Sequence, residues 1–187
     1  MRSIAKTSMT LIQRGFTLVE LLIVVIILAI LAAIVIPQFS SATVDAQEAS
    51  LDSNLNALRS AIDLYRVQHG GVYPGANAAT GATCTGGTAG TGAAGTNTAL
   101  ISQLTMFSNP AGGACNLSVG TATLGPYLRK GFPAEPITQS TAIAASATAT
   151  PLAPAAATGG WAYSTVTGQI VMNSNANDSK GVAYSTH

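Results

Sequence analysis

From Phe16 to Ile36 only Thr17 and Glu20 interrupt an apolar run, and sixteen of these 21 residues are Phe, Leu, Ile or Val. At about 1.5 Å per residue the run reaches roughly 31 Å as a helix, enough to cross a bilayer core of ~30 Å. The apolar residues contribute about −0.3 to −0.6 kcal/mol each to insertion, roughly −5 to −10 in sum, against at most ~3 for one acid near the helix end. Insertion therefore wins. Glu20, a carboxylate at the head of such a span, is costly there and is by default a functional residue.

Beyond Pro37 the pattern becomes periodic. Leu51, Leu55, Leu58, Ile62 and Tyr65 step by four, three, four and three, which predicts one apolar helical stripe. Asp45, Asp52, Arg59 and Arg66 recur every seven residues on another face, and Arg59–Asp63 and Asp63–Arg66 have the spacing of intrahelical pairs worth about 0.2–0.5 kcal/mol each. Gly70-Gly71 stops the helix. The predicted rod, Phe16 to His69, is about 80 Å long. His69 falls in its last turn and reads as a charge favourable to the helix C-terminus. Pro37 removes one donor and crowds the preceding turn, which predicts a kink.

Residues 70–187 follow a different pattern. Residues 76–99 contain only Ala, Gly, Thr, Cys and Asn, and 141–160 is a similar Ala/Thr/Pro/Gly-rich stretch. Both read as flexible low-complexity loops with little to bury. Leu100, Ile101, Leu104 and Phe107 have helical spacing, so 99–108 is a predicted short helix, capped by Asn97 or Thr98 and stopped at Asn109-Pro110. Trp161, Tyr163 and Thr165 alternate, Thr167-Gly168 turns the chain, and Gln169 to Met172 follows: a predicted β-hairpin laid against the long helix. The fold class is α+β.

Charge adds orientation and exclusions. Arg2, Lys6 and Arg14 precede the span with no acid among them, which leaves residues 1–15 cytoplasmic and sends 38–187 outward. A secretory signal peptide places its cleavage site after the apolar core; here the conspicuous small residue, Gly15, lies before it. Residues 70–187 hold five charged side chains, Arg129, Lys130, Glu135, Asp178 and Lys180, with no basic patch, so no nucleic-acid partner is expected. The expected compartment is oxidising. Cys84 and Cys115 are the two cysteines, and two states are open: a disulfide closing a loop of about 30 residues and contributing ~3–4 kcal/mol, or two free thiols. Asn116-Leu117-Ser118 and Asn177-Asp178-Ser179 match the glycosylation tripeptide, a short and common motif.

Gly15-Phe16-Thr17-Leu18-Val19-Glu20, the apolar run and Pro37 resemble the amino terminus of type IV pilins and of type II secretion pseudopilins. The resemblance is close over residues 14–75. It implies a long N-terminal helix, transmembrane over 16–36 and amphipathic over 37–69, packed against a small antiparallel β-sheet in an outer domain, 70–187. It further implies that a prepilin peptidase cuts after Gly15 and methylates the new amine of Phe16, and that Glu20 faces the terminal amine of a neighbouring subunit. Pro37 matches a family proline; the resemblance implies that this stretch melts in the filament, and a simple bend at the membrane exit is the other outcome. Gly125-Pro126-Tyr127-Leu128, Pro133, Pro136 and the Gly-Trp-x-Tyr hairpin resemble major pseudopilins. Such pseudopilins bind calcium through acidic residues of a C-terminal loop; here Asp178 is the loop's one carboxylate, aided at most by Asn173, Asn175 and Asn177, and an Asn-rich turn competes with that site. No other cofactor is expected.

The chain thus reads as a single-pass subunit of the bacterial inner membrane that self-associates into a helical filament. Its implied partners are membrane lipid, the prepilin peptidase, a platform protein with an assembly ATPase, and minor pilins or pseudopilins. The expected role is in a periplasmic pseudopilus driving protein secretion, with a surface pilus (adhesion, motility, DNA uptake) as the alternative. A membrane-tethered enzyme or binding domain is the distant one, since no Ser-His-Asp spacing, phosphate loop or metal-ligand cluster is visible.

Overall fold

The computed structural model describes residues 15–148 and 152–187; the leader charges Arg2, Lys6 and Arg14, and residues 149–151 of the second low-complexity stretch, lie outside the described residues. The chain divides into two compact units, Met1–Thr43 and Val44–His187. Helix α1 (Leu18–Gln68) runs through the end of the first and the start of the second.

In the first unit, every described residue from Gly15 to Ile36 is exposed. A helix satisfies its own backbone polar groups, so an apolar one with no covered side is suited to hydrocarbon. Among the described residues α1 is the one helix long and apolar enough to cross a membrane. The chain is helical at position 37; melting there is an expectation for the filament, not for the single chain.

In the second unit α1 buries the predicted stripe. Leu51, Leu55, Leu58, Ile62 and Tyr65 are at most 1% exposed. They pack in one core with Leu100, Leu104, Ile143, Trp161, Tyr163, Ile170, Met172 and Tyr184. The helix ends as Gly70-Gly71 predicts. Both glycines have positive φ, and the Gly71 N–H closes on the Arg66 carbonyl at 2.8 Å. His69 ends up buried, not charged at the surface. Its ring stacks on Tyr65 at 3.6 Å, Nδ1 lies 2.8 Å from the Tyr65 carbonyl and Nε2 3.1 Å from Ser108 Oγ. Desolvation lowers its pKa; Nδ1–H adds a second hydrogen bond to the Tyr65 carbonyl, which already accepts the His69 N–H at 2.9 Å, and this buried hydrogen bond stands where a charge–dipole contact was expected.

Helix α2 (Asn97–Thr105) starts earlier than predicted because Thr96 is its N-cap, accepting from the Ala99 N–H at 3.2 Å. It also ends earlier. The N–H groups of Tyr127 and Leu128 both donate to the Leu104 carbonyl, and Phe107–Ser108 leave the helix as β1 to pair with β2 (Ala114–Cys115). Gln103, wholly buried, joins two loops to α2. Its Oε1 accepts from Gly75 N–H at 2.6 Å, and its Nε2 donates to the carbonyls of Asn77 and Gly112.

The predicted hairpin is β4 (Trp161–Ser164) and β5 (Ile170–Met172), with Trp161 opposite Met172 and Tyr163 opposite Ile170. Its turn needs Gly168: φ is +71°, and a Cβ there would stand 2.1 Å from the Tyr73 ring. A third strand, β3 (Ile143–Ser146), joins β4 in parallel and makes this sheet mixed. It lies in the stretch expected to be a loose loop. Ala and Ser give no strand signal, but Ile143 reaches the core and the backbone pairs with β4. Downstream of the undescribed residues, 152–159 also bonds to the sheet region: Leu152 N–H to Gln169 Oε1, and Gly159 N–H to Asn173 O. Every residue of both hairpin strands is buried.

The stretch 76–99 is likewise stitched down. Ala79 N–H donates to Gly92 O, Gly90 N–H to Ala114 O, Ala114 N–H to Ala79 O and Asn116 N–H to Thr88 O, at 2.7–3.1 Å. Small residues permit this approach, since a Cβ at Gly90 would lie 2.6 Å from that of Ala114. Low complexity here encodes close backbone packing, not freedom.

Candidate assembly site

Three sequence-predicted site residues, Gly15, Phe16 and Glu20, lie together at the head of α1, with Thr17 among them. Residues 15–17 are non-helical and exposed, and Phe16 is 85% exposed. The Gly15–Phe16 bond thus lies in accessible, non-helical backbone.

Glu20 is not free in the single chain. Its Oε2 accepts from the Thr17 N–H and the Thr17 hydroxyl, both at 2.9 Å, while Glu20 N–H donates to Thr17 Oγ1 at 3.2 Å. This is a reciprocal capping box, in which two orphan N–H groups of the helix start are satisfied at once. The motif Thr17-x-x-Glu20 announces it, a signal the sequence reading passed over while weighing Glu20 alone. Two consequences follow from the geometry. The box fixes the first turn of a helix whose neighbours are otherwise uniform, and it holds the carboxylate beside residue 16, where cleavage after Gly15 would create an amine.

The two cysteines meet. Cys84 and Cys115 form a disulfide with a Cα–Cα distance of 5.6 Å, which resolves the open choice and ties the first low-complexity stretch to β2. Asn116, the first residue of one glycosylation tripeptide, accepts the Thr88 N–H at 2.7 Å beside this bridge.

Asp178, the weak calcium candidate, is engaged by backbone donors. Its Oδ1 accepts the N–H groups of Lys180 at 2.9 Å and Val182 at 2.7 Å, and its Oδ2 lies 3.4 Å from His187 Nε2. Calcium wants six to eight oxygens with lone pairs turned toward it; this carboxylate meets N–H donors. Asn175 spends its amide on Ala155 O at 2.9 Å. Among the described residues no three His, Cys, Asp or Glu side chains converge as a metal site. The donor set does not fit the cation, and the competing reading, a hydrogen-bonded turn, describes the loop.

The histidines are used structurally. His69 is enclosed by Tyr65, Tyr127 and Ser108, and His187 lies between Asp52 and Asp178. Arg59, expected to pair with Asp63, donates instead to the carbonyls of Ile170 and His187. Arg66 lies over the Tyr73 ring, 4.9 Å from its centroid.

Residues 10–36 match the family description "Prokaryotic N-terminal methylation motif". The chain is similar to the type IV narrow pilus major component PilA5 of Thermus thermophilus, 44% identical over 59 residues, covering 32% of this chain and 51% of that protein. It is similar to type II secretion system core protein G of Pseudomonas aeruginosa, 40% identical over 57 residues, covering 30% of this chain and 40% of the relative. It is also similar to a fimbrial protein of Neisseria meningitidis, 38% identical over 73 residues, covering 39% and 42%. The match therefore spans about half or less of each of these relatives. No solved structure matches the chain.

Proposed function

We propose that this chain, whose amino-terminal third is similar to type IV pilins and type II secretion pseudopilins, is a structural subunit of a helical filament. The observation that carries the reading is the head of α1: one carboxylate, boxed by Thr17, on a stretch whose apolar side chains are exposed from residue 18 to residue 36. Lipid holds the helix before assembly, and neighbouring copies of α1 replace lipid afterwards. A prepilin peptidase cuts after Gly15 and methylates Phe16. The resulting ammonium on an adjacent copy then becomes the partner of Glu20. An opposite charge offsets much of the cost of a carboxylate in hydrocarbon, so the pair sets register between otherwise slippery apolar helices. Identical copies joined head to tail give an open, fibre-forming assembly.

The finer reading is a pseudopilus of type II secretion, a short filament on the outer side of the inner membrane, with residues 38–187 facing the periplasm. Core protein G relatives share the first third, and the Trp161–Tyr163 hairpin and Tyr127-Leu128 connection support the same branch. A platform protein, an assembly ATPase and minor pseudopilins are the partners of that system. The second reading, a surface type IV pilus, is favoured by the match to the narrow pilus component and by a C-terminal loop whose donors do not suit calcium. Deleting the gene separates them. Loss of protein secretion with no surface fibres supports the pseudopilus, and surface fibres containing this chain support the pilus. A lone monomer that still carries Met1, seen by mass spectrometry of native material, overturns both.

A further inference from the structure

Residues 173–187 are held to α1 by one row of charged side chains. Glu48, Asp52 and Arg59 are four and seven residues apart and lie on one side of the helix. Glu48 is only 7% exposed. Its Oε1 accepts the Ser179 N–H at 2.7 Å and the Tyr184 hydroxyl at 3.2 Å, and its Oε2 accepts the Ser179 hydroxyl at 2.7 Å. One turn on, Asp52 Oδ1 meets His187 Nδ1 at 2.8 Å. Two turns further, the Arg59 guanidinium takes the His187 carbonyl.

The loop between these anchors is closed on itself. Asp178 N–H donates to Val182 O at 2.7 Å, Gly181 N–H to Asp178 O at 3.1 Å and Tyr184 N–H to Ala176 O at 3.0 Å, with a further bridge between Asn177 and Ala183. Asp178 caps the turn from within through the Lys180 and Val182 N–H groups. The acids Asp45, Glu48, Asp52 and Asp178 line one cavity of about 290 Å³. Lys180 and His187 line the same cavity.

We infer that residues 174–187 form a metal-free clasp, in which the Glu48 carboxylate on α1 performs the ordering that a divalent cation would otherwise provide. Three hydrogen bonds converge on Glu48 from two points of the clasp, Ser179 and Tyr184. The Asp178 Oδ1 that a metal would need is engaged by the Lys180 and Val182 N–H groups. The Ser179 hydroxyl and N–H hold the Glu48 carboxyl below the usual carboxylate range, although Asp178 opposes this. This inference goes beyond the filament reading and stands apart from it, because it concerns only how the second unit is held.

Hydrogen exchange of the full chain in detergent micelles tests it, with calcium alone as the probe. In the wild type, exchange of the Ser179–Tyr184 amides is expected to be the same with calcium and with a chelator. Glu48→Gln is expected to speed it about tenfold or more, the factor that loss of a charge-assisted bond gives. Ser179→Ala, which keeps the charge and the helix intact, is expected to give a smaller acceleration in the same amides while the Leu51–Tyr65 amides stay protected. Protection by calcium in the wild type that disappears in Asp178→Asn overturns the inference. So does unchanged exchange in both Glu48→Gln and Ser179→Ala. Filament assays do not enter these outcomes, so the clasp and the filament reading fail separately.

Discussion

Between Leu18 and Ile36, α1 exposes every side chain, while between Val44 and Gln68 the same helix buries one stripe beneath the outer domain. The backbone geometry is shared; the side-chain pattern differs. In the first stretch apolar residues fill all sides, so no side is singled out and specificity rests on Thr17 and Glu20. In the second, apolar residues recur every three or four positions, and the rows beside them carry Glu48, Asp52 and Arg59, each with a distant partner. A uniform surface suits a fluid surrounding and interchangeable neighbours. A patterned one suits a single fixed partner. The comparison predicts that substitutions in the two stretches act on different observables.

The largest effect is expected at the head of the uniform stretch. Glu20→Ala leaves membrane insertion intact, since it removes a penalty of up to ~3 kcal/mol, but abolishes filaments; carbonate extraction and electron microscopy read the two outcomes. Normal filaments from this variant would break the comparison. In the patterned stretch, Leu55→Ala is expected to cost about 2–5 kcal/mol of outer-domain stability, because a wholly buried side chain leaves a cavity. Leu22→Ala, on an exposed side, is expected to leave the denaturation midpoint of that domain unchanged. Equal shifts from both would erase the distinction. Reducing the Cys84–Cys115 bridge is expected to cost ~3–4 kcal/mol, read as a lower midpoint in denaturant for the full chain in micelles.

The smallest effect is a pH slope confined to the patterned stretch. Burial lowers the pKa of His69. A depressed folded pKa means that the unfolded chain binds the proton more readily, so stability is fully present above the ordinary histidine pKa of about 6.5 and falls as pH drops toward the lower folded value. His69→Gln is expected to flatten that slope in thermal unfolding across mildly acidic pH. Glu48 and Asp178 act in the same direction at more acid pH. Glu48 is depressed by its Ser179 bonds. For Asp178, burial is outweighed by the Val182 and Lys180 N–H groups.

Local pattern carried much of this molecule. The apolar run, the four-and-three stripe, the Gly70-Gly71 stop and the hairpin about Gly168 each rest on side chains within a few turns of one another, and each stands in the structure where the pattern put it. The Thr17–Glu20 box was equally local and is written in its own spacing. Where residues are small, pattern fails. Ala and Ser in 143–146 have no period to read, yet their backbone completes a sheet, and Gly90 matters for the side chain it lacks.

By itself the sequence determined where the chain is helical, which stretch suits lipid and which side of α1 is apolar, because propensity and periodicity act between near neighbours. The tertiary structure alone decided the partners of the polar groups. Glu48 finds Ser179 at a separation of 131 residues, and Asp178 meets N–H donors in place of an ion. Burial among Tyr65, Tyr127 and Ser108 lowers the pKa of His69. Hydrogen-bond satisfaction and desolvation depend on what the folded chain brings within 3 Å, and spacing along the sequence does not encode that distance.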